Sequence, residues 1–310
     1  MATLLGLLKT TRPRQWVKNL ALLAPVTFAG LLFNPGYFQT ISQAILIFTL
    51  LSSGVYIFND LIDAEKDRLH PFKRKRPIAS GELPKHIAVW VLILLQGSAL
   101  VLAYQLGLFF FYSCLVYLLM QYGYTLSFKH VPILDLLVIA SGYIIRVYAG
   151  GFAVNAHMNV WFLLTVISVS LFMAVGKRRS ELTLLKAAGT ATQIRQTLKH
   201  YTEPLLDIYT AMFATATWVT YALFSFNHPP VAPTGKVLTL LSVLPKTLTS
   251  EKWMMATTPL VIFGVMRYLQ LVYEKNEGES PERILLSDKP LIATVLMWIL
   301  LVTGLIYVVG

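Results

Sequence analysis

Residues Phe38–Asp67 read FQTISQAILIFTLLSSGVYIFNDLIDAEKD. Up to Phe58 the stretch is apolar and long enough for a helix to cross the ~30 Å hydrocarbon core of a bilayer. Polar residues then arrive together, at Asn59, Asp60, Asp63 and Asp67. If the helix continues, these four fall within an arc of about 100°, on one face, and Glu65 falls on the opposite side. The next residues, to Gly81, add a run of cations that includes Lys73, Arg74, Lys75 and Arg76. A membrane helix that ends in an acidic stripe and a basic loop thus sets the frame for the rest of the chain.

Apolar runs of this length recur. Nine are expected to cross: Trp16–Phe33, Phe38–Phe58, Ile87–Tyr104, Leu108–Thr125, Val131–Val154, Val160–Gly176, Leu205–Phe226, Ala256–Tyr273 and Leu291–Val309. A mean hydropathy of +0.63 and a charged fraction of only 13% agree with an all-α integral membrane protein forming a single membrane domain over 1–310. The first run follows Arg12, Arg14 and Lys18 and has no small-residue cleavage site after it, so it reads as a retained span. Of the 26 Lys and Arg residues, 21 fall on one side of this nine-span arrangement. Because cytoplasmic loops are enriched in cations, that side is expected to be cytoplasmic, with the N-terminus inside and the C-terminus outside. The cytoplasmic cap segments are then expected at about 59–86, 126–131, 177–204 and 274–290. The external loop Asn227–Trp253 has room for a short surface helix.

Three carboxylates on one face repel one another and are costly near lipid unless a cation holds them. Magnesium suits this set, because it takes oxygen ligands and is usually held by one or two carboxylates together with substrate phosphates. The neighbouring Lys and Arg residues are placed to meet phosphate oxygens the metal does not reach. A positive-inside anchor accounts for the cations alone, but it leaves the acidic stripe unexplained.

The string NDLIDAEKD matches NDxxDxxxD and is followed by Arg76–Pro77; it resembles the first aspartate motif of the UbiA prenyltransferase superfamily. RPRQWVKN (Arg12–Asn19), YTLSFKHVPILD (Tyr124–Asp135), GKRRSEL (Gly176–Leu182) and SDKPL before the last span look like its decaprenyl-phosphate phosphoribosyltransferase branch. The resemblance implies a nine-helix bundle whose cytoplasmic loops cap a polar cavity with a side opening for lipid. It also implies transfer of the 5-phosphoribosyl group from phosphoribosyl pyrophosphate to a polyprenyl (decaprenyl-type) phosphate, with pyrophosphate released, as a step toward lipid-linked pentose donors for cell-wall polysaccharide. Transfer of a prenyl chain to an aromatic acceptor is the second reading, and a transporter or lipid channel the third.

On this resemblance Asn59, Asp60, Asp63 and Asp67 are the magnesium and diphosphate set, with Asp63, Asp67 and Lys129 the catalytic candidates. Arg76, Tyr124 and Lys129 match family positions near the diphosphate. The family's second motif often reads DxxxD, whereas Asp135 is followed by LLVIASG; Asp135 is expected to hold a second metal through water or to bond ribose hydroxyls. Lys177, Arg178 and Arg179, or Arg12, Arg14 and Lys18, are candidates for the remaining phosphates. Headgroup anchoring explains either group as well. Arg146 lies within a span about three turns beyond Asp135, where the reading is divided between a structural salt bridge and substrate contact. The expected partners are the two substrates and membrane lipids, not nucleic acid, and an oligomer is compatible. Cys114 is alone, the six His residues show no metal-ligand spacing, and Glu203 and Asp207 read as helix-capping residues.

Overall fold

The computed structural model describes residues 2–69, 73–187, 200–229, 252–274 and 287–309, and every regular element among them is helical. The chain forms two compact units, Met1–His157 and Met158–Gly310. Among the described residues, seven helices are long and apolar enough to cross a membrane. The expected surface helix within 227–253, the cap residues 188–199 and 275–286, and His70 lie outside the described residues.

The first unit contains α1 (Ala2–Thr11), a 3-10 segment (Pro13–Leu22), α2 (Leu23–Phe28), α3 (Pro35–Leu69), α4 (Pro77–Ser80), α5 (Lys85–Leu106), α6 (Leu108–Leu126) and α7 (Leu134–Val154). Asn34 starts α3: its Oδ1 accepts from the Gly36 amide at 3.1 Å, and Pro35 fills a first-turn position that has no amide to satisfy. At about 1.5 Å per residue, α3 is about 52 Å long, well beyond the hydrocarbon thickness. The excess carries Asn59–Asp67 out of the apolar zone without interrupting the helix.

In lipid, helices associate through close packing more than through expulsion of water. Ala99 and Ala103 of α5 are fully buried, and a Cβ on Gly54 of α3 would lie 2.6 Å from Gln96 Cγ, so Gly54 is what admits that side chain. Phe48 packs against the rings of Phe110 and Tyr117, with centroids 5.8 and 5.5 Å away. The faces turned away from this core are apolar as well; Trp90, Leu94, Tyr104 and Leu119 are 65–72% exposed. A water-facing surface would not carry them together.

The first expected span takes a different form. Residues 13–28 are a ten-residue 3-10 segment followed by six residues of α-helix. In a 3-10 helix side chains three apart eclipse; here Asn19 and Leu22 are buried, and Trp16 on the same face donates to Ser53 Oγ. Pro13 opens the segment, and the spacing of three among these residues suits 3-10 winding.

The second unit contains α8 (Val160–Ala187), α9 (Glu203–Asn227), a 3-10 turn (Trp253–Thr257) leading into α10 (Thr258–Glu274), and α11 (Lys289–Gly304) with a π-helical end, Leu305–Val309. GKRRSEL stays within α8, so residues 177–187 of the expected cap segment are helix. The seventh expected span, α9, is 25 residues long but falls outside the seven most apolar helices. Its Thr210, Thr217 and Thr220 donate to carbonyls four residues back, which lets a polar helix sit among apolar neighbours. Thr202 and Asp288 cap α9 and α11 by accepting from the Leu205 and Leu291 amides.

Candidate active site

The continued helix places the acidic stripe as the spacing predicts. Asp60 and Asp67 are 2% and 5% exposed, Asn59 and Asp63 are half-buried, and Glu65 points to the exposed side. Each member of the stripe has a partner from outside its own helix. Asp60 Oδ1 accepts from Arg12 Nη2 at 2.5 Å and from Arg76 Nη1 at 3.1 Å. The same Arg76 nitrogen reaches Asp67 Oδ2 at 2.7 Å. Asp63 Oδ1 accepts from Lys129 Nζ at 2.9 Å, and Asn59 Oδ1 accepts from the Thr125 hydroxyl. Three carboxylates and three cations are therefore assembled by α3, α4, the start of the 3-10 segment and the α6–α7 turn.

Local structure explains how those partners arrive. Arg12 has a left-handed backbone (φ 54°) that turns the chain from α1 into the 3-10 segment, and its guanidinium lies 5.0 Å from the Tyr56 ring centroid. Arg76 is extended just before Pro77, the conformation a residue preceding proline favours. Arg68 Nε donates to the Ala79 carbonyl at 3.1 Å, which ties α4 back to the end of α3. Phe128 folds over Gly123, where a Cβ would lie 2.5 Å from its ring, and the short 3-10 turn Phe128–His130 so formed carries Lys129.

The donor set consists wholly of oxygens, as a hard divalent cation prefers. Successive stripe residues are about a helical turn apart, and among the described residues no three acidic, His or Cys side chains converge as a self-sufficient metal cage. Asp63 is the accessible carboxylate, its side chain 28% exposed against 3% for Asp60 and 7% for Asp67. The residues therefore fit a magnesium ion that arrives with substrate oxygens and completes its shell with one or two carboxylates.

The other expected site residues are placed as follows. Tyr124 is half-buried near the end of α6, and Lys18 Nζ lies 5.8 Å from the Tyr143 ring centroid. Asp135 is fully buried in the first turn of α7, just after Ile133, whose φ of 68° is unusual for a β-branched residue. Arg146, for which the sequence left a salt bridge and substrate contact both open, is 4% exposed and donates to Asn19, Tyr117 and the Gly142 carbonyl, all neutral, and forms no ion pair among the described residues. In the second unit Lys177 is half-buried, while Arg178 is fully buried with Glu181 Oε2 at 2.5 Å. Arg179 lies against Asp207 (2.6 Å) and Glu203 (3.3 Å), so those acids bind a cation besides opening α9. Arg74 and Lys75 are exposed.

Thr125 and Asn19 went unnoticed as site residues. Both sit inside strings singled out above, YTLSFKHVPILD and RPRQWVKN, so a signal existed. Tyr117 had none.

Residues 22–298 match the model of the UbiA prenyltransferase family. A decaprenyl-phosphate phosphoribosyltransferase of Mycolicibacterium smegmatis is 36% identical over 306 residues, 97% of this chain and 92% of the relative. Proteins of the same name from Corynebacterium glutamicum and Mycobacterium tuberculosis are 33% and 36% identical, over 98% and 95% of this chain and 87% and 92% of their own lengths. Among solved structures, a UbiA homolog from Archaeoglobus fulgidus bound to GPP and Mg2+ is similar with a TM-score of 0.69 at 20% identity, covering 97% of this chain and 99% of its own. At that identity the likeness is one of fold.

Proposed function

The chain belongs to the UbiA prenyltransferase family, and on that premise we propose that it is a magnesium-dependent transferase that moves the 5-phosphoribosyl group of phosphoribosyl pyrophosphate to a polyprenyl phosphate of decaprenyl type, releasing pyrophosphate. The observation that carries this reading is the 33–36% identity, over nearly the whole chain, to three proteins named for that activity. The product would feed synthesis of lipid-linked pentose donors for cell-wall polysaccharide.

The transfer forms a bond from a lipid phosphate oxygen to the anomeric carbon and breaks the bond from that carbon to the pyrophosphate. The acceptor oxygen is already anionic, so no general base is required. Positive charge grows on the sugar carbon while negative charge gathers on the leaving group, and fixed donors aimed at that negative charge supply most of the stabilisation. Asn59, Asp63 and Asp67, with Asp60 beside them, would hold magnesium, whose part is to neutralise the diphosphate and assist its departure. Arg76 and Lys129 already lie against these carboxylates and are assigned to the diphosphate oxygens, with Tyr124 beside them. Asp135 is assigned to the ribose hydroxyls or to a second metal through water, and Lys18 and Lys177 to the remaining phosphates. Arg178, a candidate for the same phosphates, lies enclosed beside Glu181 on α8.

All nine crossings are part of the proposal. The 3-10 segment and α2 together span about 29 Å at 2.0 and 1.5 Å per residue, enough for one crossing, and α9 supplies another. The N-terminus and the acidic site then face the cytoplasm.

Purified protein supplied with radiolabelled phosphoribosyl pyrophosphate, polyprenyl phosphate and magnesium should yield a labelled acidic glycolipid, and chelation should abolish it. Absence of that product, with prenyl transfer from a prenyl diphosphate to an aromatic acceptor in its place, would overturn the assignment.

A further inference from the structure

Arg146 is the least expected charge in the first unit. It sits within a membrane helix at 4% exposure, where an ionised group is costly, and among the described residues no carboxylate pairs with it. Each of its three nitrogens donates to protein. Nε donates to Asn19 Oδ1 at 2.8 Å, Nη1 to the Gly142 carbonyl at 2.5 Å and Nη2 to the Tyr117 hydroxyl at 2.9 Å, and the guanidinium carbon lies 4.8 Å from the Tyr117 ring centroid.

Asn19, itself fully buried, carries the connection onward. Its Nδ2 donates to Thr49 Oγ1 at 3.0 Å and Ser52 Oγ at 3.3 Å on α3. Both hydroxyls give their own hydrogens to α3 carbonyls, of Ile45 and Thr49, so they are available only as acceptors. Arg146 can only donate. The amide of Asn19 thus has one orientation that satisfies α7 and α3 together. One turn further along each element, a Cβ at Gly150 would lie 2.2 Å from the Leu22 carbonyl oxygen. Residues 146 and 150 share a face of an α-helix, and 19 and 22 eclipse in a 3-10 helix, so the two contacts form a register-specific latch.

The other end of the same segment is at the acidic stripe. Trp16 Nε1 donates to Ser53 Oγ at 3.1 Å, and Arg12 reaches Asp60. Arg12, Trp16 and Asn19 therefore meet α3 at Asp60, Ser53 and Ser52–Thr49 in turn, running antiparallel to it. A slip of one residue at Asn19 would carry Arg12 away from Asp60.

We propose that Arg146 is a positioning residue: acting through Asn19, it fixes the register of the 3-10 segment and thereby holds Arg12 on Asp60, governing the acidic site without touching substrate. The part concerning turnover rests on the function proposed above; the latch itself does not. Lysine cannot replace the arginine, since one ammonium has no planar fork to address Asn19, Tyr117 and the Gly142 carbonyl at once.

The test compares Arg146→Lys, Asn19→Ala and Arg12→Gln in detergent-purified full-length protein. In the substrate-free state, amide hydrogen exchange across residues 13–22 is expected to rise about tenfold or more in Arg146→Lys and Asn19→Ala, with residues 38–58 of α3 unchanged. Asn19→Ala leaves the buried charge in place and serves if Arg146→Lys does not fold. The KM for phosphoribosyl pyrophosphate should rise to the level of Arg12→Gln, and the double variants of Arg12→Gln with Arg146→Lys or with Asn19→Ala should be no worse than the single ones. Unchanged exchange with lost turnover would make Arg146 a substrate contact and overturn the proposal, as would exchange unchanged with turnover intact. Raised exchange with fully additive double variants would also overturn it. If the parent protein makes no glycolipid, the proposed function fails while the exchange arm still decides on the latch.

Discussion

Asp63 and Asp60 lie one turn apart on the same helix face, yet their surroundings assign them different work. Asp63 is the more open and has a single ammonium partner, so exchange of that partner for a metal ion costs it little. Asp60 is enclosed and shared by two guanidinium groups. Asp63→Asn is expected to lower magnesium-dependent turnover by about 10²- to 10³-fold, the scale for losing one preorganised charge-stabilising group, with little change in apparent melting temperature. Turnover within a factor of three of the parent would remove Asp63 from the reaction. Asp60→Ala is expected to act on stability first. Breaking a fully enclosed ion pair costs about 3–5 kcal/mol, and about 2 kcal/mol is expected here because Arg12 and Arg76 keep 29% and 28% of their side-chain surface in solvent. Chemical or thermal unfolding in detergent, followed by tryptophan fluorescence, reads this directly. The stripe and the outward turn of Glu65 were legible in the sequence because helical spacing is local. The pairing of Arg12 with Asp60 was not, since 48 residues separate them and only tertiary packing joins them. Arg146 was legible as a buried charge in need of partners, but its neutral acceptors could not be read: Asn19, though within a string that stood out, is 127 residues away, and only tertiary packing joins the two.

Among the elements, α3 was the most readable, because one uninterrupted apolar run leads into one acidic face. The 3-10 segment was the least. Its apolar content and length match a crossing helix, and the period of three in Trp16, Asn19 and Leu22 stands out only once those side chains are seen to share a face. Its docking depends on glycine. Gly150→Ala would drive a methyl group into the Leu22 backbone, which cannot rotate away, whereas the contact a Cβ on Gly54 meets is the flexible Gln96 side chain. Gly97→Ala on α5 meets nothing within 4 Å and removes a helix-weakening glycine. The apparent melting temperatures are therefore expected to fall in the order Gly97→Ala at or above the parent, then Gly54→Ala, then Gly150→Ala lowest. Equal values for Gly150→Ala and Gly97→Ala would mean that the segment does not lie on α7.

At the scale of the molecule, the distribution of cations and the ends of the helices make one joint demand. If the basic string Lys73–Arg76 faces the cytoplasm, α5 must leave that side at Lys85 and α6 must return to it at Leu126. The turn carrying Lys129 then lies on the same side as the acidic stripe, as their contact requires. α7 next exits at Val154, so His157 belongs outside. Cys114 is the chain's single cysteine and is buried within α6, which gives a quiet background for labelling, or an empty one as Cys114→Ala. Arg74 and His157 are both exposed, so a thiol at either position is reachable by reagent. In intact cells with an accessible plasma-membrane surface, a membrane-impermeant maleimide is expected to modify His157→Cys and to leave Arg74→Cys unmodified until the membrane is opened. The opposite pattern would put the acidic site outside, where phosphoribosyl pyrophosphate made in the cytoplasm does not reach it, and the proposed reaction could not proceed in that orientation. Labelling of both without permeabilisation would break the alternation of α5, α6 and α7 across the bilayer, and with it the reading of these three helices as successive crossings.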